Sequence, residues 1–293
     1  ATLERYQIGE TSLGFDMEYI PTSCSLMPAR AAKDPRTLDS CRKRSQETNT
    51  NTKSNRSLHI LFIGDSNFRM QQDMFDRFFG QKLKTTRIST EGGLVVTLPE
   101  IQKSLQELAL KATDSTGTSA AGTDYFVIFN AGLHDIDKFC QKIWRKYRAP
   151  LIHSVSDVDF SCVQLYRESL TELVTAVASF PARLRVWQTT TAGWPKWGNY
   201  GISWPSVTFQ YLPEDPTAVA HWNEIAGEIL QPFSSEIAIM DAYWLTLSRP
   251  DHRETNAKND ISQKMVHAGP EVYSVLVRKW AMLALETICG PRP

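Results

Sequence analysis

Apolar residues in this chain gather in short runs, separated by longer stretches where they recur every three or four positions. The run Leu58-His59-Ile60-Leu61-Phe62-Ile63 stops at Gly64, and its near-continuous hydrophobicity predicts a strand buried on both faces. Similar runs at 125–130, 184–188 and 237–240 predict further strands, and one more is expected over 85–90. Between them, helical spacing predicts helices over 68–79, 98–110, 163–180, 217–230 and 272–288. In the third of these, Tyr166, Leu170, Val174 and Val177 fall on one face. Strands alternating with helices predict right-handed crossovers and a mostly parallel sheet with helices on both faces, a three-layer α/β/α domain over 58–293. Residues 1–57 read as an irregular lead-in, packed on the domain or flexible beside it; 43–57 is almost wholly polar.

Ligands of such sheets sit beyond the carboxyl ends of the strands. Three segments therefore converge there: Gly64-Asp65-Ser66, Asn130-Ala131-Gly132, and the chain leading to His267. A serine between a buried strand and a helix start has two available jobs. Its hydroxyl caps the helix, or it stands in a cleft as a nucleophile whose own N–H joins an oxyanion hole. Context bears on the choice. Arg69 follows Ser66 by one helical turn, Gly92-Gly93 offers bare backbone after the 85–90 run, and Asn130 ends a strand with an amide donor. Asn130 also fits a simple turn residue. The chain has six histidines, of which His267, in the loop before the last helix, is the expected general base. His134 follows the Asn130 strand and is expected to line the site, whereas His59 lies within the first strand.

Composition narrows the function classes. Lys plus Arg and Asp plus Glu each total 32, so the zero net charge argues against a general nucleic-acid binder. No apolar run approaches the roughly 20 residues that span a bilayer, and the chain begins at Ala1, which fits prior removal of a signal peptide or anchor. Cys24, Cys41, Cys140, Cys162 and Cys289 include no CxxC pair, so no zinc or other metal site and no cofactor is expected. They allow two disulfides with one thiol left over, or five reduced thiols. With the Asn55-Arg56-Ser57 sequon, they favour the secretory pathway, in the Golgi lumen or outside the cell.

Gly64-Asp65-Ser66-Asn67-Phe68-Arg69 resembles the GDSxxR signature of the PC-esterase branch of SGNH (GDSL-like) hydrolases, which includes the trichome-birefringence-like glycan O-acetyltransferases. Gly92-Gly93 resembles the glycine block of that family, and Phe129-Asn130-Ala131-Gly132-Leu133-His134-Asp135 its asparagine block. Asp241-Ala242-Tyr243 followed by Val266-His267 resembles the closing block. The resemblance covers roughly 58–289 in order and implies a flavodoxin-like SGNH fold. It further implies Ser66 as nucleophile, His267 as base, and Gly92 or Gly93 with Asn130 in the oxyanion hole. One position departs. The family carries an Asp three residues before the histidine, and this chain has Lys264 there. A lysine cannot accept the imidazole N–H, and in serine proteases losing that carboxylate's function costs about 10⁴ in rate. Either Asp260, Asp251 or Glu271 supplies a carboxylate, a Ser-His dyad suffices, or the protein is inactive; Asp260 is the expected orienting group.

The expected substrate is a polysaccharide or oligosaccharide, with an acyl donor if the enzyme is an O-acetyltransferase rather than an acetylesterase. Trp194, Trp197 and Tyr200, in the loop after the 184–188 run, offer faces for sugar rings or else pack that loop down. Arg69 and His134 are the expected polar substrate contacts. The basic stretch 138–148 fits an anionic glycan or a solvated helix face. A glycan-binding protein without chemistry is the alternative, and Lys264 is the residue that favours it.

Overall fold

A computed structural model describes residues 6–9, 12–15, 57–79, 83–113, 123–135, 160–192, 216–247 and 270–289. Within the stretch read as an irregular lead-in, β1 (Tyr6–Gly9) and β2 (Ser12–Phe15) form an antiparallel pair, with Tyr6 opposite Phe15. The main sheet holds β3 (Ser57–Gly64), β4 (Lys84–Ser89), β5 (Thr123–Phe129), β6 (Ala182–Gln188) and β7 (Ala238–Met240). Its order is β4-β3-β5-β6-β7, and every pairing is parallel. This is the flavodoxin-like order, in which the chain leaves the first strand to one side and returns on the other. The reversal falls between β3 and β5, and sheets of this kind take their ligands beyond the carboxyl ends of the strands at that point.

Helices α1 (Ser66–Phe79), α2 (Leu94–Thr113), α3 (Phe160–Ser179), α4 (Pro216–Leu230), α5 (Tyr243–Leu247) and α6 (Pro270–Cys289), with a 3₁₀ turn at Gln231–Phe233, complete the described elements. None of them is long and apolar enough to cross a membrane. Strand alternation sends successive side chains to opposite faces. Leu61, Ile63, Val127, Phe129 and Trp187 point toward α2, α3 and α4 and share a core with Ile101, Leu170 and Trp222. Leu58, Ile60, Phe62, Phe126, Ile128 and Val186 point the other way, toward Phe68 and Phe75 of α1 and Leu276 and Trp280 of α6. Both faces are thus covered, which explains why β3 and β5 read as continuous apolar runs rather than alternating ones.

His59 belongs to this core. Its ring lies 5.2 Å from that of Tyr125, and Nε2 is 2.9 Å from Thr86 Oγ1. Burial, with the charge of Lys84 adding to it, pushes its pKa down to about 4, so it is a neutral packing histidine.

Candidate functional site

The site is built where β3, β4 and β5 end together. Gly64 pairs with Ser89, and Ile63 with Phe129, so the three strands finish at one level. Two backbone bonds carry the convergence past the strands: Thr90 N–H donates to Gly64 O at 2.9 Å, and Asn130 N–H to Ile63 O at 2.8 Å.

Asp65 begins α1. Its Oδ1 accepts the N–H of Asn67 at 2.9 Å, and its carbonyl accepts the N–H of Arg69 at 3.0 Å. Asp65 is therefore the helix cap, and Ser66 is the first helical residue, half-buried, at the end where the helix dipole favours negative charge. Gly64 is explained by packing rather than by turn geometry. A Cβ there would fall 2.7 Å from Phe68 Cβ and collide with the ring that closes the core beneath Ser66.

Arg69 is exposed and pairs with Glu91 at 3.3 Å, joining α1 to the segment after β4. In that segment Gly93 has φ +87° and donates its N–H to Thr90 O at 2.9 Å. Of the two glycines, the exposed Gly92 is thus the one without such a backbone bond among the described residues.

Asn130 is buried, and both hydrogens of its amide are engaged. Nδ2 donates to Gln188 O and to Thr190 Oγ1, each at 2.9 Å. The side chain clips the end of β5 to the end of β6. Gly132, at φ +136°, follows in a place where a Cβ would meet Tyr166 Oη at 3.1 Å and Thr190 Oγ1 at 3.3 Å. His134 is partly buried beside this edge, and its carbonyl lies 3.6 Å from where a Gly93 Cβ would stand.

Asp135 is the residue that sequence reasoning passed over. It is 1% exposed, and its Oδ1 accepts the Leu94 N–H at 2.6 Å, which caps α2 from 41 positions away. No signal along the chain pairs these two residues. Burial pushes the Asp135 carboxyl up to about 7, and the nearby charge of Asp65 adds to the rise, against the pull of N–H bonds from Leu94 and Val95. A folded-state pKa raised from 3.8 contributes stability that is complete below pH 3.8 and is lost as pH rises through 7. Asp135→Asn keeps the acceptor and removes the charge. It is expected to flatten that decline by about 2 kcal/mol, allowing for relaxation around a buried ion. Urea titrations of both proteins between pH 4 and 8 check this. His59 acts with the opposite sign below pH 6.5, but it is common to both proteins and cancels in the difference.

Ser66, Arg69, Gly92, Gly93, Asn130 and His134 thus lie along one sheet edge. His267, Asp260, Lys264, Trp194, Trp197 and Tyr200 lie outside the described residues, as do Asn55 and the five cysteine side chains. The described chain resumes at Pro270.

No protein-family model matches the chain, and no curated protein sequence matches it. Among solved structures it is similar to a protein from Streptococcus pneumonia provisionally described as a platelet activating factor. That similarity has 12% identity and a TM-score of 0.43, and covers 85% of this chain and 92% of the other.

Proposed function

We propose that this chain carries out acyl-ester chemistry through a covalent acyl–Ser66 intermediate. The observation that carries the reading is the place of Ser66 at the switch point of the sheet, on a helix whose capping is done by Asp65. The structural job that best competes with catalysis is thereby held by the neighbouring residue.

In the proposed reaction Ser66 Oγ attacks the ester carbonyl carbon while His267 takes its proton. The N–H groups of Ser66 and Gly92 receive the oxyanion, and Asn130 joins them by exchanging one of its two amide bonds. The C–O bond to the alcohol then breaks, and His267 returns the proton to the departing oxygen. Water completes a hydrolysis; a sugar hydroxyl completes a transfer. Asp260 orients His267 in place of the carboxylate that Lys264 displaces. The proposed substrate is an O-acylated glycan of the secretory pathway, held by Arg69, His134, Trp194, Trp197 and Tyr200, and the proposed relatives are the PC-esterases.

A second reading, a glycan-binding protein without turnover, is favoured by Lys264 and by the fully engaged amide of Asn130. A fluorophosphonate probe separates the two. Peptide mapping is expected to find the phosphonyl group on Ser66. Retention on an acetylated polysaccharide with no phosphonylation at Ser66 instead supports the second reading.

A further inference from the structure

Beside Ser66, α1 and α6 share two sets of buried, hydrogen-bonded polar side chains. Tyr273 Oη donates to Asn67 Oδ1. One turn further along α1, Gln71 Oε1 accepts from Gln188 Nε2 at 3.2 Å, and Gln188 Oε1 accepts from Trp280 Nε1 at 2.9 Å. The carbonyl of Gln188 also receives the Asn130 amide. Gln188 is thus a hub joining β5, β6, α1 and α6.

The surroundings make these groups costly. They sit among Phe68, Phe75, Leu276 and Trp280, and the amide nitrogens Asn67 Nδ2 and Gln71 Nε2 are buried without a partner among the described residues. Unpaired amide N–H groups lower stability relative to apolar side chains of the same volume. Apolar packing, however, is non-directional and does not fix how far one helix slides along another. Hydrogen bonds do. Asn67 adjoins Ser66, and Tyr273 lies in the first turn of α6, six residues after His267.

We infer that the Asn67–Tyr273 bond, braced by the Gln71–Gln188–Trp280 chain, sets the start of α6 against the start of α1. Asn67 and Tyr273 are then positioning residues for the chemistry at Ser66. This inference rests on the acyl-transfer reading above.

The test is the rate of fluorophosphonate labelling at Ser66, measured per folded molecule across pH. Tyr273→Phe and Asn67→Leu are each expected to slow labelling about tenfold and to move the acid limb of the profile. The double variant should be no slower than the slower single one, because the pair acts as a unit. Asn67→Asp retains the acceptor oxygen and should recover most of the rate. Unchanged labelling and an unchanged profile in Tyr273→Phe, with only a lower melting midpoint, would reduce the bond to a structural one and overturn the inference. A wild-type protein that is not labelled at Ser66 overturns the acyl reading, and this inference with it.

Discussion

Ser66→Ala is expected to lower acyl-ester turnover by at least about 10³-fold while leaving the fold intact. The expected loss is large because no other residue of α1 carries a hydroxyl, and the covalent route needs that oxygen. The expected insensitivity of the fold follows from Asp65, whose Oδ1 already accepts the Asn67 N–H. Were Ser66 the cap, its removal would cost about 1 kcal/mol, which for a chain of 293 residues is a melting shift of about 1.5–2 °C. A fall in melting midpoint of that size without loss of turnover would therefore return Ser66 to a structural role. Activity on an activated acetyl ester and a thermal melt, run on the same preparations, distinguish the outcomes.

Gly64→Ala is expected to destabilise the protein by about 3 kcal/mol, at the upper end for overpacking a core. The added methyl would lie 2.7 Å from Phe68 Cβ, and β3 cannot retreat because its last carbonyls are held by Thr90 and Asn130. The strain must then move α1, and Ser66 with it, so turnover should fall beyond what the folded fraction explains. In a Phe68→Gly background, which removes both the ring and its Cβ, the methyl has room, and the same substitution should cost much less. Urea titrations of the four proteins measure that coupling. Equal costs in both backgrounds would show that the Phe68 contact is not the reason for the glycine.

The parallel sheet was legible because its central strands are covered on both sides. The run at 58–63 lies inside β3, and the run at 125–130 covers five of the seven residues of β5. The helix over 163–180 was legible for the same reason, since Tyr166, Leu170, Val174 and Val177 all enter the core. Local pattern failed where distant residues decide. Helix α2 begins at Leu94, four residues before its expected start, because Asp135 supplies the cap to a Leu-Val-Val opening that has none of its own. The short helix α5 was missed because five residues carry too little periodicity to register.

The site divides along the same line. Ser66, the glycines and Asn130 were placed at one edge by topology, which a sequence of strands and helices is enough to specify. The roles of their neighbours were not legible. Nothing in the order of residues says that Asp65 rather than Ser66 caps α1. Nor does it say that the Asn130 amide reaches Gln188 and Thr190, which lie 58 and 60 positions away.

The most direct measurement concerns the imidazole. Proton NMR of the six histidine rings, with the His267 signal assigned through His267→Gln, should be followed through pH before and after phosphonylation of Ser66. If the hydroxyl and the imidazole meet beyond the carboxyl ends of β3 and β5, the adduct, once dealkylated to its anionic form, raises the pKa of His267 by about one unit or more. A His267 titration that is the same with and without the adduct would contradict the account.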